Sequence, residues 1–450
     1  MTQLKTLETL QGKERWTALI DEICEGTWVN PLTDKAIPPA PYDRIVIRDS
    51  LKGQEADLVS SLGMTAPFTI VADKNTWDAM GARVKDALEP LGEVKTVILD
   101  QPHADMQTVE SLEKCLSPAD SVVAVGSGTI NDLCKFVTHR NGGRYCVFGT
   151  AASMNGYTST TASITLHNGL KVSLPAHAPS GFFVDLSVSA RAPTHLAASG
   201  FADCLCRSVA QIDWWMSHRV LGTVYRQEPY LMELPDEAEL NKRARLLPQG
   251  NTEAVGYLYR VLTLCGLGIG FTGQSHHGSM AEHQVSHYID CFAGNRHPGT
   301  LHGQQVGVAS LAMARIQHHF LSQETPPKVR ATQIDFDDMK RRMGPEIAKD
   351  CYIEYRKKAF DEAGAASFNE KISAIWPELR QECLKMAIPV EKMEEMLRAS
   401  GGPATAKELG VPLEFWREAV RFGHEMRNRF AFVDIACDSG ILDEFAAAEV

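Results

Sequence analysis

The chain has 450 residues, more than one ordinary hydrophobic core accommodates, so two or three domains are expected. A hydrophobic fraction of 44%, a charged fraction of 22% and a formal net charge of −11 describe a globular protein without the basic face that nucleic acid or an anionic membrane requires. No apolar run is long enough to span a bilayer, the opening MTQLKTLETLQGKERW lacks the apolar centre of a secretion signal, and eleven scattered cysteines read as reduced thiols, so a cytoplasmic protein is expected.

Taken in chain order, the first part alternates strand and helix patterns. RIVIRD (44–49) reads as a strand and ADLVSSLG (56–63) as a helix closed by glycine. FTIVAD (68–73) precedes the helical TWDAMGARVKDAL (76–88), and KTVILD (95–100) precedes the helical TVESLEKCL (108–116). SVVAVG (121–126), the helical TINDLCKFVTH (129–139) and YCVFG (145–149) complete the series. Nearly continuous apolar strands alternating with helices predict a parallel sheet covered on both faces. From about Ala190 the apolar residues recur at helical spacing, over 195–218, 251–272, 301–320, 336–361 and 412–434, with breaks at IPV (388–390) and SGGPA (400–404). The polar run 224–251 reads as a helical excursion or a surface loop. The expected organisation is an α/β domain over 1–188, including an N-terminal extension over 1–40, and a helical domain over 189–450.

A strand, Gly-Ser-Gly-Thr and a helix follow one another in SVVAVGSGTINDLCKF. Glycines admit close approach of a phosphate, and a helix N-terminus offers unpaired N–H groups to it. A plain tight turn has the same residues, and Asn131 stands where the dinucleotide fingerprint has its third glycine. Asp73, at the end of an earlier strand, suits a ribose hydroxyl and would repel a 2′-phosphate, favouring NAD over NADP; it equally suits a helix N-cap. GTAASMNGYTST (149–160) reads as a loop closing over a ligand or as a merely polar loop.

Six of the fifteen histidines fall between Ser275 and Gly303. His283 and His287 share one face if AEHQVSHYID is helical, and His302 opens another helical pattern. Two imidazoles and a carboxylate suit zinc, iron, nickel or manganese. Asp203, set among small and apolar residues, and Glu282, adjacent to His283, are the candidate carboxylates; the alternative is a set of structural histidines. His276, His277 and His297 have no distinguishing spacing, and His297 reads as a loop residue.

Six stretches in order, GSGTINDL, TAASMNGYTS, SGFADCL, AEHQVSHYID, HGQQVGV and RNRFAFVDIA, resemble the iron-containing alcohol dehydrogenase superfamily, and within it the glycerol-1-phosphate dehydrogenase family. The resemblance covers about four-fifths of the chain and omits the first forty residues and 224–251. It implies a Rossmann-like α/β domain, an all-helical second domain and an active site in the cleft between them. It further implies that Gly126, Ser127, Gly128, Thr129 and Ile130 hold the NAD (or NADP) pyrophosphate with Asp132 nearby, that Asp73 binds the adenosine ribose, and that Thr150, Ser153 and Ser159 contact the nicotinamide half. Asp203, His283 and His302 would ligate one divalent metal, zinc or else nickel or iron. His287 and Asn155 would contact substrate, with Lys171 a weaker candidate for cofactor or substrate. The expected reaction interconverts a phosphorylated polyol and its ketose, in a homo-oligomer, by metal Lewis-acid and nicotinamide chemistry.

Two departures fall at the substrate end. Asn155 replaces the family's aspartate, losing a charge and gaining a donor. His276-His277 occupy a region where relatives carry Arg-Pro, so a titrating group would stand in place of a fixed charge. A sugar-phosphate cyclase like dehydroquinate synthase, a dehydrogenase of another polyol, and a catalytically silent relative are the competing readings.

Overall fold

In a computed structural model that describes residues 16–40 and 42–450, the apolar runs of the first half assemble into a six-stranded, all-parallel sheet. Its strands are β1 (Arg44–Arg48), β2 (Phe68–Asp73), β3 (Val94–Leu99), β4 (Ser121–Gly126), β5 (Arg144–Gly149) and, after an antiparallel hairpin of β6 (Thr161–Thr165) and β7 (Lys171–Pro175), β8 (Gly181–Asp185). The spatial order is β1-β8-β5-β4-β2-β3. Alternate residues Phe68 and Ile70 of β2, Val123 and Val125 of β4 and Phe148 of β5 share one core with Leu58, Val59, Val84 and Leu88 from the helices Glu55–Ser60 and Ala82–Leu88. Each such side chain contributes roughly 1.5–3 kcal/mol when fully buried.

The chain passes from β2 out to β3 and returns past β2 to β4, so its connections diverge between β2 and β4. Continuing the register that pairs Val71 with Ala124 brings Asp73, the last residue of β2, level with Gly126, the last of β4. Such a switch point, outside the carboxyl ends of the strands, is where open α/β sheets take ligands.

The sequence reading ends the sheet at residue 149, yet β8, GFFVD, inserts between β1 and β5 and is buried along its whole length. A five-residue apolar run has no periodicity of its own to distinguish strand from buried turn. The expected helix over 336–361 is two helices, Phe336–Met343 and Pro345–Arg356, parted at Gly344, whose φ of 78° ends the first before Pro345 starts the second. The region 412–434 likewise divides into Leu413–Phe422, a 3₁₀ turn Gly423–Met426, and the start of Phe432–Ser439. Much of 224–251 forms the helix Glu228–Arg243.

Two compact units result, with a division that differs from a border at 188–189. The chain up to His167, Lys171–Gly200 and Glu228–Gln274 form one; Asn168–Leu170, Phe201–Gln227 and Ser275–Val450 form the other. Trp16 packs within 2.5 Å of where a side chain on Gly256 would begin, so the described end of the N-terminal extension lies on the helix Thr252–Thr272. The stretch 1–15, on which the absence of a secretion signal was argued, lies outside the described residues. Among the described residues no helix is long and apolar enough to cross a membrane, and all eleven cysteines are free thiols.

At the end of β8, Asp185 accepts hydrogen bonds from Leu51 N at 3.0 Å and Arg83 Nη2 at 2.7 Å, and Arg83 Nε also pairs with buried Glu55 at 2.6 Å. Burial alone would raise the Asp185 pKa, but hydrogen bonds from Ser187, Leu51 and Arg83 hold it below the usual carboxylate range. Arg83→Met strands two buried carboxylates and is expected to cost about 3 kcal/mol. A depressed folded pKa contributes stability only above the unfolded value, so the deficit in urea midpoint should be full above about pH 5 and shrink as the pH falls below about 4. A midpoint deficit that does not change with pH would count against this clasp.

Candidate metal and cofactor sites

Helix α1 (Gly128–Asn141) leaves β4 through Ser127, which occupies the N-cap without a side-chain cap bond. Its first N–H groups are therefore left to other partners. Ile130 is buried in the core, so only its backbone can serve a ligand. Asn131, in the place of the fingerprint's third glycine, accepts from Tyr145 OH at 3.2 Å and donates to Asp132 at 3.3 Å inside the fold. Asp73 caps the turn Lys74–Thr76, Oδ1 accepting from Thr76 N at 2.9 Å, so the N-cap reading holds; a second carboxylate oxygen remains as an acceptor.

Other cofactor candidates are tied into the protein. Asp132 accepts from Ser163 N at 3.0 Å and lies 3.5 Å from Lys135 Nζ, so its carboxylate faces the β6 hairpin. Lys135, which the sequence reading passed over, is fully buried and donates to Gly156 O at 2.6 Å, Ser159 Oγ at 3.0 Å and Thr161 O at 3.1 Å. Burial pushes the Lys135 pKa down and that of Asp132 up, and their mutual attraction opposes both shifts. The Ser159 hydroxyl thus belongs to a lysine-centred network. Thr150 N donates to Gly126 O at 3.1 Å, and Ser153 O accepts from Ser199 Oγ at 3.2 Å. Thr158 Oγ1 donates to Thr263 O at 2.9 Å, and a Cβ on Gly266 would stand 2.3 Å from that hydroxyl oxygen. The loop 149–160 is accordingly built against the helix Thr252–Thr272, which explains why that helix groups with the sheet. Asn155 is half-buried in this loop, and Lys171 opens β7.

The metal candidates converge in the second unit. Asp203 lies near the end of helix α2 (Thr194–Leu205), His283 in the first turn of α3 (Ala281–Phe292), and His302 at the start of α4 (His302–Leu321). Gly307 lets α4 approach α2, since a Cβ there would stand 2.7 Å from Ala202 Cβ. One ligand atom each from Asp203, His283 and His302 lie within 4.8 Å of one another. His283 Nδ1 is 2.9 Å from Glu282 Oε1, which also accepts from Met280 N at 2.7 Å. Glu282 is thus a partner behind His283 rather than a competing ligand for this group. Ser286 Oγ donates its one proton to Gln305 Oε1 at 2.8 Å, so it accepts from His302 Nδ1 at 2.9 Å. Both imidazoles therefore turn Nε2 away from these partners, the orientation that metal-ligating histidines adopt. His283 Nε2 stands 3.4 Å from Asp203 Oδ1. Burial alone would lower the His283 pKa, but hydrogen bonds to Asp203 and Glu282 outweigh it and raise it to about 9. The donor set fits a divalent cation, which would satisfy the same charge without a proton.

His287 stays beside the triad, its ring centroid 6.3 Å from that of His283 and 5.6 Å from that of His302. Arg427 Nη2 donates to His287 Nδ1 at 3.3 Å. His297 joins the outer network, with Nε2 3.1 Å from Asp290 Oδ1 and 3.0 Å from Gln305 Nε2. His276 and His277 pack against Trp214, at 6.0 and 6.3 Å between ring centroids. Burial, with Arg429 and His277 adding to it, pushes the His276 pKa down to about 2, so His276 is a neutral group and not the titrating charge expected from the sequence.

The sequence profile of the iron-containing alcohol dehydrogenase family matches residues 46–193. Along nearly its whole length the chain is similar to a glycerol-1-phosphate dehydrogenase of Bacillus licheniformis named for NAD(P)+, with 27% identity over 429 residues, 93% of each chain. These similarities point to the iron-containing alcohol dehydrogenase family. A second glycerol-1-phosphate dehydrogenase, from Thermococcus kodakarensis, is 29% identical over 272 residues, 60% of this chain and 76% of the relative. The crystal structure of glycerol dehydrogenase from Schizosaccharomyces pombe shares the fold, with a TM-score of 0.58 at 18% identity over 90% of both chains. A nicotinamide cofactor and a divalent metal are consistent with this family.

If Glu282 orients His283, Glu282→Gln should weaken zinc retention by roughly 10–100-fold. Competition with a chromogenic chelator measures this, with the melting temperature of the metal-free chain as control. Unaltered zinc affinity in a folded variant would show that Glu282 has no part in setting the ligand.

Proposed function

We propose that this protein is a metal-dependent NAD(H) dehydrogenase interconverting sn-glycerol-1-phosphate and dihydroxyacetone phosphate. The observation that carries the reading is the convergence of Asp203, His283 and His302, two imidazoles with oriented Nε2 atoms beside one buried carboxylate, in a chain similar over 93% of its length to a glycerol-1-phosphate dehydrogenase. In this reading these three residues hold the metal, zinc in preference to nickel or iron. When bound, the metal supplies Lewis acidity and the nicotinamide gives or takes a hydride.

The protein's own groups supply the rest. Backbone N–H groups from Gly128 to Ile130 receive the pyrophosphate at the uncapped start of α1, and Ser127 stays clear of them. Asp73 offers its second carboxylate oxygen to a ribose hydroxyl, which favours NAD over its 2′-phosphorylated form. Thr150, Ser153 and Ser159 act through the loop that Lys135 holds, because the Ser159 hydroxyl and Ser153 carbonyl already have protein partners. Asn155 presents both a donor and an acceptor to substrate hydroxyls. Because Arg427 donates to its Nδ1, neutral His287 keeps its proton on Nε2, where it donates to a substrate oxygen or relays a proton.

Screening purified protein, with each candidate metal restored, for NADH oxidation against dihydroxyacetone phosphate and other ketose phosphates tests the reading. Net NADH loss with dihydroxyacetone phosphate, yielding the sn-1 enantiomer, is expected. Turnover without net NADH change would replace the reading by a cyclase, and no turnover together with no bound metal would overturn it. His287→Ala should lower kcat by roughly 10²-fold or more while metal content holds. Loss of the metal in that variant would instead make His287 a ligand.

A further inference from the structure

The segment Met426–Phe430 carries two arginines that neither the sequence reading nor the proposed metal and cofactor sites use. Arg427 and Arg429 are separated by one residue just after the 3₁₀ turn Gly423–Met426, close enough for the Arg427 charge to act on Arg429. Arg427 donates to His287 Nδ1 at 3.3 Å. Arg429 donates to Ser279 Oγ at 2.9 Å, Ser275 Oγ at 2.8 Å and the Ser279 carbonyl. Each partner is neutral. Among the described residues neither guanidinium has a carboxylate within ion-pair distance, whereas Arg315 pairs with Glu449 and Arg342 with Asp338 and Glu425.

This is unusual in a chain with eleven more acidic than basic residues, where counter-charges are plentiful. Two guanidiniums, both only partly exposed, with Glu354 and Glu282 acting on them only from beyond ion-pair distance, carry a desolvation cost that a directly bound anion would offset. Burial lowers the pKa of both, and the Arg427 charge lowers that of Arg429 further, to about 9. Both stay charged at neutral pH. His276 adds a buried Nδ1 with no hydrogen-bond partner among the described residues, on a ring that Arg429 helps keep neutral. Through His287, Arg427 is one side chain removed from His283 and His302.

We propose that Arg427 and Arg429, with His276 beside them, are the receptor for the substrate's phosphate group. A phosphate monoester dianion matches paired guanidiniums in charge and in planar fork geometry. The proposal rests on the reading of a phosphorylated substrate at the Asp203, His283 and His302 group, and it takes the charge for anion recognition from the C-terminal segment, with His276 only as a neutral neighbour.

The test compares Arg427→Gln, Arg429→Gln and Arg429→Lys with the wild-type holoenzyme. The ratio of kcat/KM for dihydroxyacetone phosphate to that for dihydroxyacetone should fall roughly 10²-fold in each Gln variant, mainly through KM, and recover in part in Arg429→Lys. A bracing role for Arg429 under Ser275 and Ser279 would lower both ketones alike, and an unchanged ratio overturns the proposal. Calorimetry with inorganic phosphate gives a second readout that does not depend on which ketone is reduced. Phosphate binding by the wild type and its loss in both Gln variants supports the receptor even if dihydroxyacetone phosphate proves not to be the substrate. No phosphate binding by the wild type, or equal binding by all variants, overturns it.

Discussion

His283 gives its Nδ1 proton to Glu282 and turns Nε2 toward Asp203 at 3.4 Å. A proton on Nε2 shared with the Asp203 carboxylate keeps His283 cationic, with a pKa of about 9, and a bound divalent cation would take that proton's place where burial of Asp203 excludes screening water. Much of the surrounding helical structure serves this pairing. Glu282 is fixed by Met280 N, His302 is oriented by Ser286, and Ser286 is fixed in turn by Gln305. Ala202 and Gly307 let the helices bearing Asp203 and His302 meet without side chains between them. The outer residues thus set which imidazole nitrogen of each candidate ligand faces the group, the kind of support that orients metal-ligating histidines.

An equivalent role in the first unit falls to a buried ammonium. Lys135 reaches from α1 to Gly156, Ser159 and Thr161 and so fixes the loop between β5 and β6 relative to the glycine turn. A buried lysine is expensive unless every donor is used, and this one has three acceptors and a nearby carboxylate. Its arrangement accounts for Asp132, whose carboxylate serves the hairpin and the lysine. It also accounts for the loop 149–160, which is an ordered part of the fold rather than a polar connector.

The parallel sheet, the glycine turn and the metal-ligand group were legible in the sequence because each has a local pattern: apolar runs of fixed length, a strand-to-helix glycine pair, and histidines at helical spacing. Asp203 was legible as a charge among small residues, and family resemblance decided between it and Glu282. What sequence could not convey was partnership at long range. β8 is a short apolar run whose place in the centre of the sheet depends on β1 and β5. The helix Thr252–Thr272 has the apolar spacing of the second unit, yet Thr263 and Gly266 belong to the loop at 158. Lys135 reads as an ordinary solvent-facing helix residue until its acceptors, more than twenty positions away, are known. Arg427 and Arg429 belong to a stretch that carries the family resemblance, but only their neutral hydrogen-bond partners single them out.

Those surroundings also decide how charge is distributed near the metal-ligand group. Histidine was the natural candidate for anion recognition at 276 and 277, since two imidazoles occupy the region where relatives carry a fixed cation. Burial and the adjacent Arg429 remove that option by holding His276 neutral. A fixed charge lies in the same neighbourhood all the same, since Arg429 bonds Ser275 and Ser279 on either side of residues 276 and 277. A guanidinium keeps its charge across the working pH range, so the attraction it exerts does not follow a histidine titration. The imidazoles then serve other tasks: His283 and His302 as candidate ligands, and His287 as the acceptor, through Nδ1, of the Arg427 guanidinium. Permanent charge and adjustable proton thus sit on different residue types, and the contact between Arg427 and His287 joins them.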